Sequence, residues 1–377
     1  KSLFHGMLVH CHGIKSGCDA CLSVANTILS MYCRCGEVNI ARKLFDTMPN
    51  RTGVSFTAMI SGYAEDANVD EAIHLLNAMD SSGEKPDFIT ILSLISGCAT
   101  IGLLNVGKSL HSYAHFKGFE GNIEVSNALI DMYAKCGNIA DAANVFDALQ
   151  HKNLISWTSM INACALNGQF NEAVLHFERF LELNLQPNHV TFLAILQACC
   201  HGGFLEKGME YFIMMKNVHR IEPGLDHYSC MVDILGRKGR LEDAVLLLRK
   251  MPVKPDAAIW GSLLSACRIH RNAVVGEYAA GRLYLTEPAA APYVEMANLY
   301  ASGGEWQSAA GVRSAMRRRG LRKVPGQSAI EIDDKVHTFT AEGREHIAGT
   351  FLYRTLDLFA VHTSDSAKFN LLSISLC

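Results

Sequence analysis

No apolar run in this 377-residue chain reaches the roughly 18 residues that a bilayer-spanning helix needs. An excess of positive charge is missing too. Lys and Arg number 34 against 37 Asp and Glu, giving a net charge of −3 and a pI near 6.6, so no global basic footprint marks a nucleic-acid ligand. This counts against binding driven by phosphates alone. It leaves room for base-by-base recognition of single strands, where local groups along a groove do the reading. Catalytic signatures are also wanting: there is no P-loop, no GxSxG and no HExxH. Nor is there an initiator Met, so the chain is expected to be a piece of a longer protein whose targeting segment lies upstream.

Apolar residues make up 49% of the chain, enough to bury a large core, and mean hydropathy is +0.12. Thirteen cysteines form an odd set without the dense spacing of a small secreted domain. Cys35 recurs as Cys136 and Cys98 as Cys199, which predicts small buried apolar residues in a reducing compartment. Cys18 and Cys21 make a CxxC with His10, Cys11 and His12 nearby. A structural zinc site needs a second close ligand pair, so an inter-repeat turn is expected there instead.

The dominant feature is repetition. A shift of 101 residues carries Asn26, Tyr32, Gly36 and Phe45 onto Asn127, Tyr133, Gly137 and Phe146, and Thr57, Met59 and Pro86 onto Thr158, Met160 and Pro187. Within the period, Trp157, Met160, Ile161 and Cys164 fall on one helical face, Asn167-Gly168 breaks the helix, and a second amphipathic run follows from Phe170 to Leu183. Such helix pairs cannot bury their faces alone and must stack. The period divides into units of 31, 35 and 35 residues, 22–52, 53–87 and 88–122, then 123–153, 154–188 and a 36-residue 189–224, with 225–256 closing the series. The fold class read from this pattern is all-α.

MYCRCG at 31–36, MYAKCG at 132–137, GEKPD at 83–87 and LQPN at 185–188 closely resemble the plant pentatricopeptide-repeat proteins of the PLS class, in which short, ordinary and long repeats alternate. The resemblance covers the chain from Lys1 to about His346. It implies a right-handed α-solenoid with a partial long repeat at 1–21, a repeat array at 22–256, an E-type helical extension at 257–326 and an E-plus extension at 327–346. Alternation at Ser328–Ile332 and Lys335–Thr340 predicts a hairpin in the last of these. Residues 347–377 diverge; Phe351, Leu352, Leu356, Phe359 and Ala360 fit one amphipathic helix before an unstructured tail.

The resemblance also implies a ligand, single-stranded organellar RNA, read one base per repeat by the fifth and last residues. The pairs are Asn26/Thr52, Thr57/Asp87, Leu92/Asn122, Asn127/Asn153, Thr158/Asn188 and Ser229/Asp256. By the family's pairing rule, Thr57/Asp87 reads guanine, Thr158/Asn188 adenine and Asn127/Asn153 a pyrimidine favouring C. Asn26/Thr52 departs from the pattern at its second member and is assigned a pyrimidine only. Leu92 and Leu193 stand where a polar reader is needed, so the long repeats receive no base. Val54 and Ile155, second in their repeats, match the position that packs on bases. Asn, Thr and Asp at helix starts are equally good N-caps.

Relatives that edit RNA unaided carry a zinc deaminase with HxE and a later CxxC. This chain has neither after residue 257, so no cofactor, metal or enzymatic activity of its own is expected. The implied role is site selection for C-to-U editing in a mitochondrion or chloroplast, with a deaminase or accessory protein recruited through 257–346. The alternatives are a splicing or stability factor and, from another class, a protein-binding helical scaffold. Two further features have plain readings. Arg313, Arg317, Arg318, Arg319, Arg322 and Lys323 suit a solvated helix end, and Trp157 and Trp260, at helical spacing, suit the core.

Overall fold

The computed structural model describes residues 3–18, 21–119, 121–286, 289–322, 327–332 and 335–340. The chain divides into two compact units, Lys1–Ala279 and Ala280–Cys377. The first opens with α1 (Leu3–Ser16) and continues as helix pairs: α2 (Leu22–Arg34) with α3 (Val38–Thr47), α4 (Gly53–Glu65) with α5 (Val69–Ser81), α6 (Phe88–Ile101) with α7 (Leu104–Phe116), and α8 (Ile123–Lys135) with α9 (Ile139–Ala148). Then come α10 (Leu154–Leu166) with α11 (Phe170–Glu182), α12 (His189–Gly202) with α13 (Leu205–Asn217), and α14 (Leu225–Arg237) with α15 (Leu241–Lys250). Last are α16 (Ala257–His270) and α17 (Ala273–Thr286), whose residues from Ala280 onward belong to the second unit.

Helices of 10 to 14 residues are marginal alone, so tertiary burial has to supply their stability. It does so in two layers. The first helix of each pair packs on the first helices before and after it, from α2 through α16, and the second helices α3 to α15 each wedge between two of them. The chemistry of the two layers differs accordingly. In the inner helix α12, Phe192, Ala194, Ile195, Leu196, Ala198, Cys199 and Cys200 are all buried, whereas the outer helix α11 buries one stripe, Ala173, Val174, Phe177 and Phe180. Inner helices approach closely enough that a Cβ at Gly62 would lie 2.6 Å from Cys33 Sγ. The sequence change at 257 does not interrupt the stack, because α16 packs on α14 as the earlier inner helices pack on one another.

Pair geometry is set at the turns. Gly137 takes φ 75° after α8 and Gly36 takes φ 81° after α2, a left-handed backbone that a β-carbon would strain. The neighbouring Cys35 and Cys136 are C-caps and therefore only half-buried, unlike the fully buried Cys98 and Cys199. The expectation of burial fails for the first pair because a helix end faces solvent. Cys18 and Cys21 are exposed free thiols, and no group of side chains among the described residues could hold a metal ion. Trp157 and Trp260 are core, at 7% and 6% exposure.

In the second unit, α18 (Ala291–Ser302) packs against α19 (Trp306–Arg318), and Tyr284 stacks on Tyr293 with ring centroids 4.2 Å apart. Arg317, Arg318 and Arg319 are exposed at the end of α19, where cations suit the helix dipole; Arg313 is exposed earlier in the helix and Arg322 just beyond it, and Lys323 lies outside the described residues. Strands β1 (Gln327–Ile332) and β2 (Lys335–Thr340) pair antiparallel, Gln327 opposite Thr340 and Ile332 opposite Lys335, which is the hairpin read from the alternation. The helix expected around Phe351–Ala360 and the tail after it lie outside the described residues.

Candidate nucleic-acid interface

The last residue of each sequence unit is the N-cap of the next inner helix. Asp87 Oδ1 accepts from Thr90 N–H at 2.8 Å, Asn153 Oδ1 from Ser156 N–H at 2.9 Å, Asn188 Oδ1 from Thr191 N–H at 3.0 Å and Asp256 Oδ1 from Ile259 N–H at 3.0 Å. Asn122 accepts from both Glu124 and Val125, and Thr52 caps α4 in a capping box with Ser55. Capping and base reading are therefore not rivals at these positions. A backbone N–H can be accepted only by oxygen, so the cap fixes each amide with Oδ1 inward and Nδ2 outward. Asp87 and Asp256, held the same way, turn their second carboxylate oxygen outward. The last residue thus presents a donor if it is Asn and an acceptor if it is Asp.

The fifth residues are tied to these caps. Thr57 Oγ1 lies 2.7 Å from Thr90 Oγ1, which donates to Asp87 Oδ1 at 2.8 Å. Thr158 Oγ1 lies 2.9 Å from Thr191 Oγ1, which donates to Asn188 Oδ1 at 3.0 Å. Asn26 Oδ1 accepts from Ser55 Oγ at 2.7 Å, and Ser55 Oγ accepts from Thr52 N–H at 3.2 Å. Three of the pairs proposed from the sequence are thus brought together through one hydroxyl of the following helix. Asn127 is the odd member, 7% exposed with Oδ1 unpartnered, because Ser156 spends its proton on Asn153 Oδ1 at 3.0 Å. Ser229 and Asp256 have no such link, since the third residue of α16 is Ile259. Leu92 and Leu193 are half-buried.

Clefts open between successive inner helices at two of these pairs. One of about 360 Å³ holds Thr158 and Asn188 between Ile155 and Val190, and another of about 830 Å³ holds Asn26, Thr52 and Val54. Val54 and Ile155 are 63% and 59% exposed near the starts of α4 and α10. Sequence reasoning missed their counterparts in the long units, Ile89 at 46% and Val190 at 59% exposure. The signal was available, because the 101-residue shift carries Ile89 onto Val190 just as it carries Val54 onto Ile155.

Two outcomes follow from this geometry. Asn153→Ala deletes a cap and should lower stability by about 1 kcal/mol in urea denaturation, while Asn153→Asp, which keeps the capping oxygen, should cost little. Acid should also weaken the array. Burial pushes the His227 and His176 imidazoles below the ordinary 6.5. His227 Nδ1 accepts from Gly224 N–H at 3.2 Å and Nε2 faces His189 O at 2.9 Å, a neutral tautomer with no place for a second proton. The unfolded chain takes up protons near 6.5 and the folded chain only at lower pH. Stability is therefore full above 6.5 and is lost as pH falls from there through the depressed folded values. The urea midpoint should drop between about pH 7.5 and 5.5, and drop less in His176→Gln.

Comparison with known proteins agrees with the repeat pattern. The PPR repeat matches residues 23–51, 124–154 and 226–254, the PPR repeat family 51–100 and 152–201, the pentatricopeptide repeat domain 177–238, and the E motif 270–331. A mitochondrial pentatricopeptide repeat-containing protein of Arabidopsis thaliana is 50% identical over 97% of this chain and 56% of its own length. A chloroplastic one is 37% identical over 97% of this chain and 45% of its own. A third from the same plant is 36% identical over 95% of this chain and 73% of its own length. The chain thus spans about half the length of the first two. Among solved structures, the pentatricopeptide repeat protein PPR10 in complex with an 18-nt psaJ RNA element superposes with a TM-score of 0.65 at 19% identity, over 76% of this chain and 43% of that one, a likeness of fold. With its repeats, its E motif and these relatives, the chain belongs to the pentatricopeptide-repeat family.

Proposed function

We propose that this chain binds single-stranded RNA in a sequence-specific way and selects sites for organellar RNA processing, C-to-U editing in particular. The observation that carries the proposal is the joined pair, a fifth and a last residue locked together through one hydroxyl, which at Thr158/Asn188 lies in a cleft flanked by the exposed Ile155 and Val190. Thr57/Asp87 offers two acceptors, and guanine is the base with two adjacent donors, N1–H and the 2-amino group. Thr158/Asn188 offers an acceptor and an outward amide donor, which matches the 6-amino group and N1 of adenine. Base edges are free to be read in this way only in a single strand.

With protein N- to C-terminus running along RNA 5′ to 3′, the site reads pyrimidine, G, any base, C or U, A, any base and, weakly, G. The region 257–346, which overlaps the E-motif match, recruits the deaminase or accessory protein that does the chemistry. The organelle is a mitochondrion or chloroplast, in line with the names of the relatives. Binding of two short RNAs tests the reading. One carries G and A opposite Thr57/Asp87 and Thr158/Asn188, and the other has them exchanged. The first should bind at least tenfold more tightly, and Thr57→Asn should move that unit's preference from G toward U. Equal weak binding to both RNAs, unchanged by the substitution, would instead favour a protein-binding scaffold.

A further inference from the structure

We propose that the hydroxyl at the third position of the following inner helix is a specificity-determining positioning residue: Thr90 for Thr57/Asp87 and Thr191 for Thr158/Asn188. It fixes the direction of the fifth residue's proton and thereby the base which that pair accepts. The inference rests on the base-reading assignment above. Thr90 is 0% exposed and has one proton, which it donates to the acceptor-only carboxylate of Asp87. Its 2.7 Å contact with Thr57 Oγ1 must therefore be one in which Thr57 donates. The Thr57 proton is committed inward, and only lone pairs remain to meet a base. Thr191, also 0% exposed, does the same to Thr158.

Capping alone does not account for this hydroxyl. Asn122 and Asp256 cap α8 and α16 with Val125 and Ile259 at the same position, so the cap forms without it. Its distribution follows the fifth residue instead. Where the fifth residue is Asn26, Thr57, Asn127 or Thr158, the hydroxyl is present, at residues 55, 90, 156 and 191. Where the fifth residue is Leu92 or Leu193, its place is taken by Val125 or His227. Ser229 is followed by Ile259, so that pair keeps a free hydroxyl rotor and reads its base with less selectivity.

The consequence is chemical. With its proton held inward, Thr57 rejects uracil, whose single N3–H donor serves Asp87 and leaves only carbonyl oxygens facing Thr57. Once the proton is released, Thr57 can donate to such a carbonyl, and uracil becomes acceptable beside guanine. Thr90→Val keeps the shape and removes the hydroxyl, while Thr90→Ser restores it.

The experiment titrates the whole chain with RNAs carrying G or U opposite Thr57/Asp87, with A fixed opposite Thr158/Asn188. Thr90→Val should cut the G-over-U preference by about fivefold to tenfold, the worth of one hydrogen bond. Discrimination at the A position should stay unchanged, and Thr90→Ser should recover the wild-type ratio. Thr191→Val, read as A over G at its own position, is the second variant. A wild-type preference that survives Thr90→Val within twofold overturns this inference and leaves base reading standing. So does uniform loss of binding to every RNA, which makes the hydroxyl a support for the helix only. A wild-type chain that does not distinguish G from U overturns the base-reading assignment and this inference with it.

Discussion

Asp87→Asn is expected to turn the preference of its unit from G to A. The substitution leaves the cap intact, since Oδ1 of an amide accepts from Thr90 N–H as readily as a carboxylate oxygen does. The outward group changes from an acceptor oxygen to an amide donor, and the unit acquires the arrangement seen at Thr158, Thr191 and Asn188. A guanine N–H then meets an N–H. Leaving a polar group unpaired costs about 1–3 kcal/mol, so binding of the G-bearing RNA should fall about tenfold or more, and binding of the A-bearing RNA should rise by a similar factor. Titration of both RNAs against both proteins measures the exchange. A variant that still prefers G would mean that Asp87 is a cap and nothing more. Stability should be nearly unchanged, which separates this effect from that of Asn153→Ala.

The largest effect on folding is expected from Phe177→Ala. Phe177 is 0% exposed on α11, with ring centroids 4.9 Å from Tyr211, 5.7 Å from Phe192 and 6.4 Å from Phe180. Its ring joins an outer helix to the next inner helix and to the outer helix beyond, so removing it opens a cavity at the junction of two units. Such truncations cost about 3–5 kcal/mol. In a stacked array stability is close to a sum of unit and neighbour terms. The loss should therefore appear as early unfolding around residues 154–224, with the units before Ile123 retaining their transition. Trp157, whose ring lies 6.4 Å from Phe180, reports that segment by fluorescence in a urea titration. A single unshifted transition would show that Phe177 does not sit in a close-packed core.

The sequence carried the register because capping chemistry is local. Asp87, Asn153 and Asn188 precede the runs that become α6, α10 and α12, and an N-cap needs only its own next three residues. The glycine turns were legible for the same reason. What depended on neighbours was not. The contact of Thr57 with Thr90 joins residues 33 apart on different helices, and nothing in either helix alone states which hydroxyl spends its proton where. Asn26 and Asn127 look alike in sequence, yet the Oδ1 of one has a partner in Ser55 and the Oδ1 of the other is buried without one, through a different choice made by Ser156. Periodicity assigned Trp157 to the core correctly. The close approach of Gly62 to Cys33 could be read only once the helices were stacked.

The hydroxyl bridge between consecutive helices also bears on how such arrays change over generations. A repeat cut in its own frame runs from Gly53 to Asp87, for instance, whereas the hydrogen-bonded set runs on to Thr90. A cassette exchanged at the repeat boundary leaves the Thr90 hydroxyl behind and inherits whatever the recipient supplies. If the recipient offers Val125 or Ile259 in that place, the transplanted pair keeps its letters and loses part of its meaning. If the pairs read bases as proposed, the repeat and the reading unit are out of phase by three residues, and grafts cut after the third residue of the following helix should transfer their preference more faithfully than grafts cut at the repeat edge.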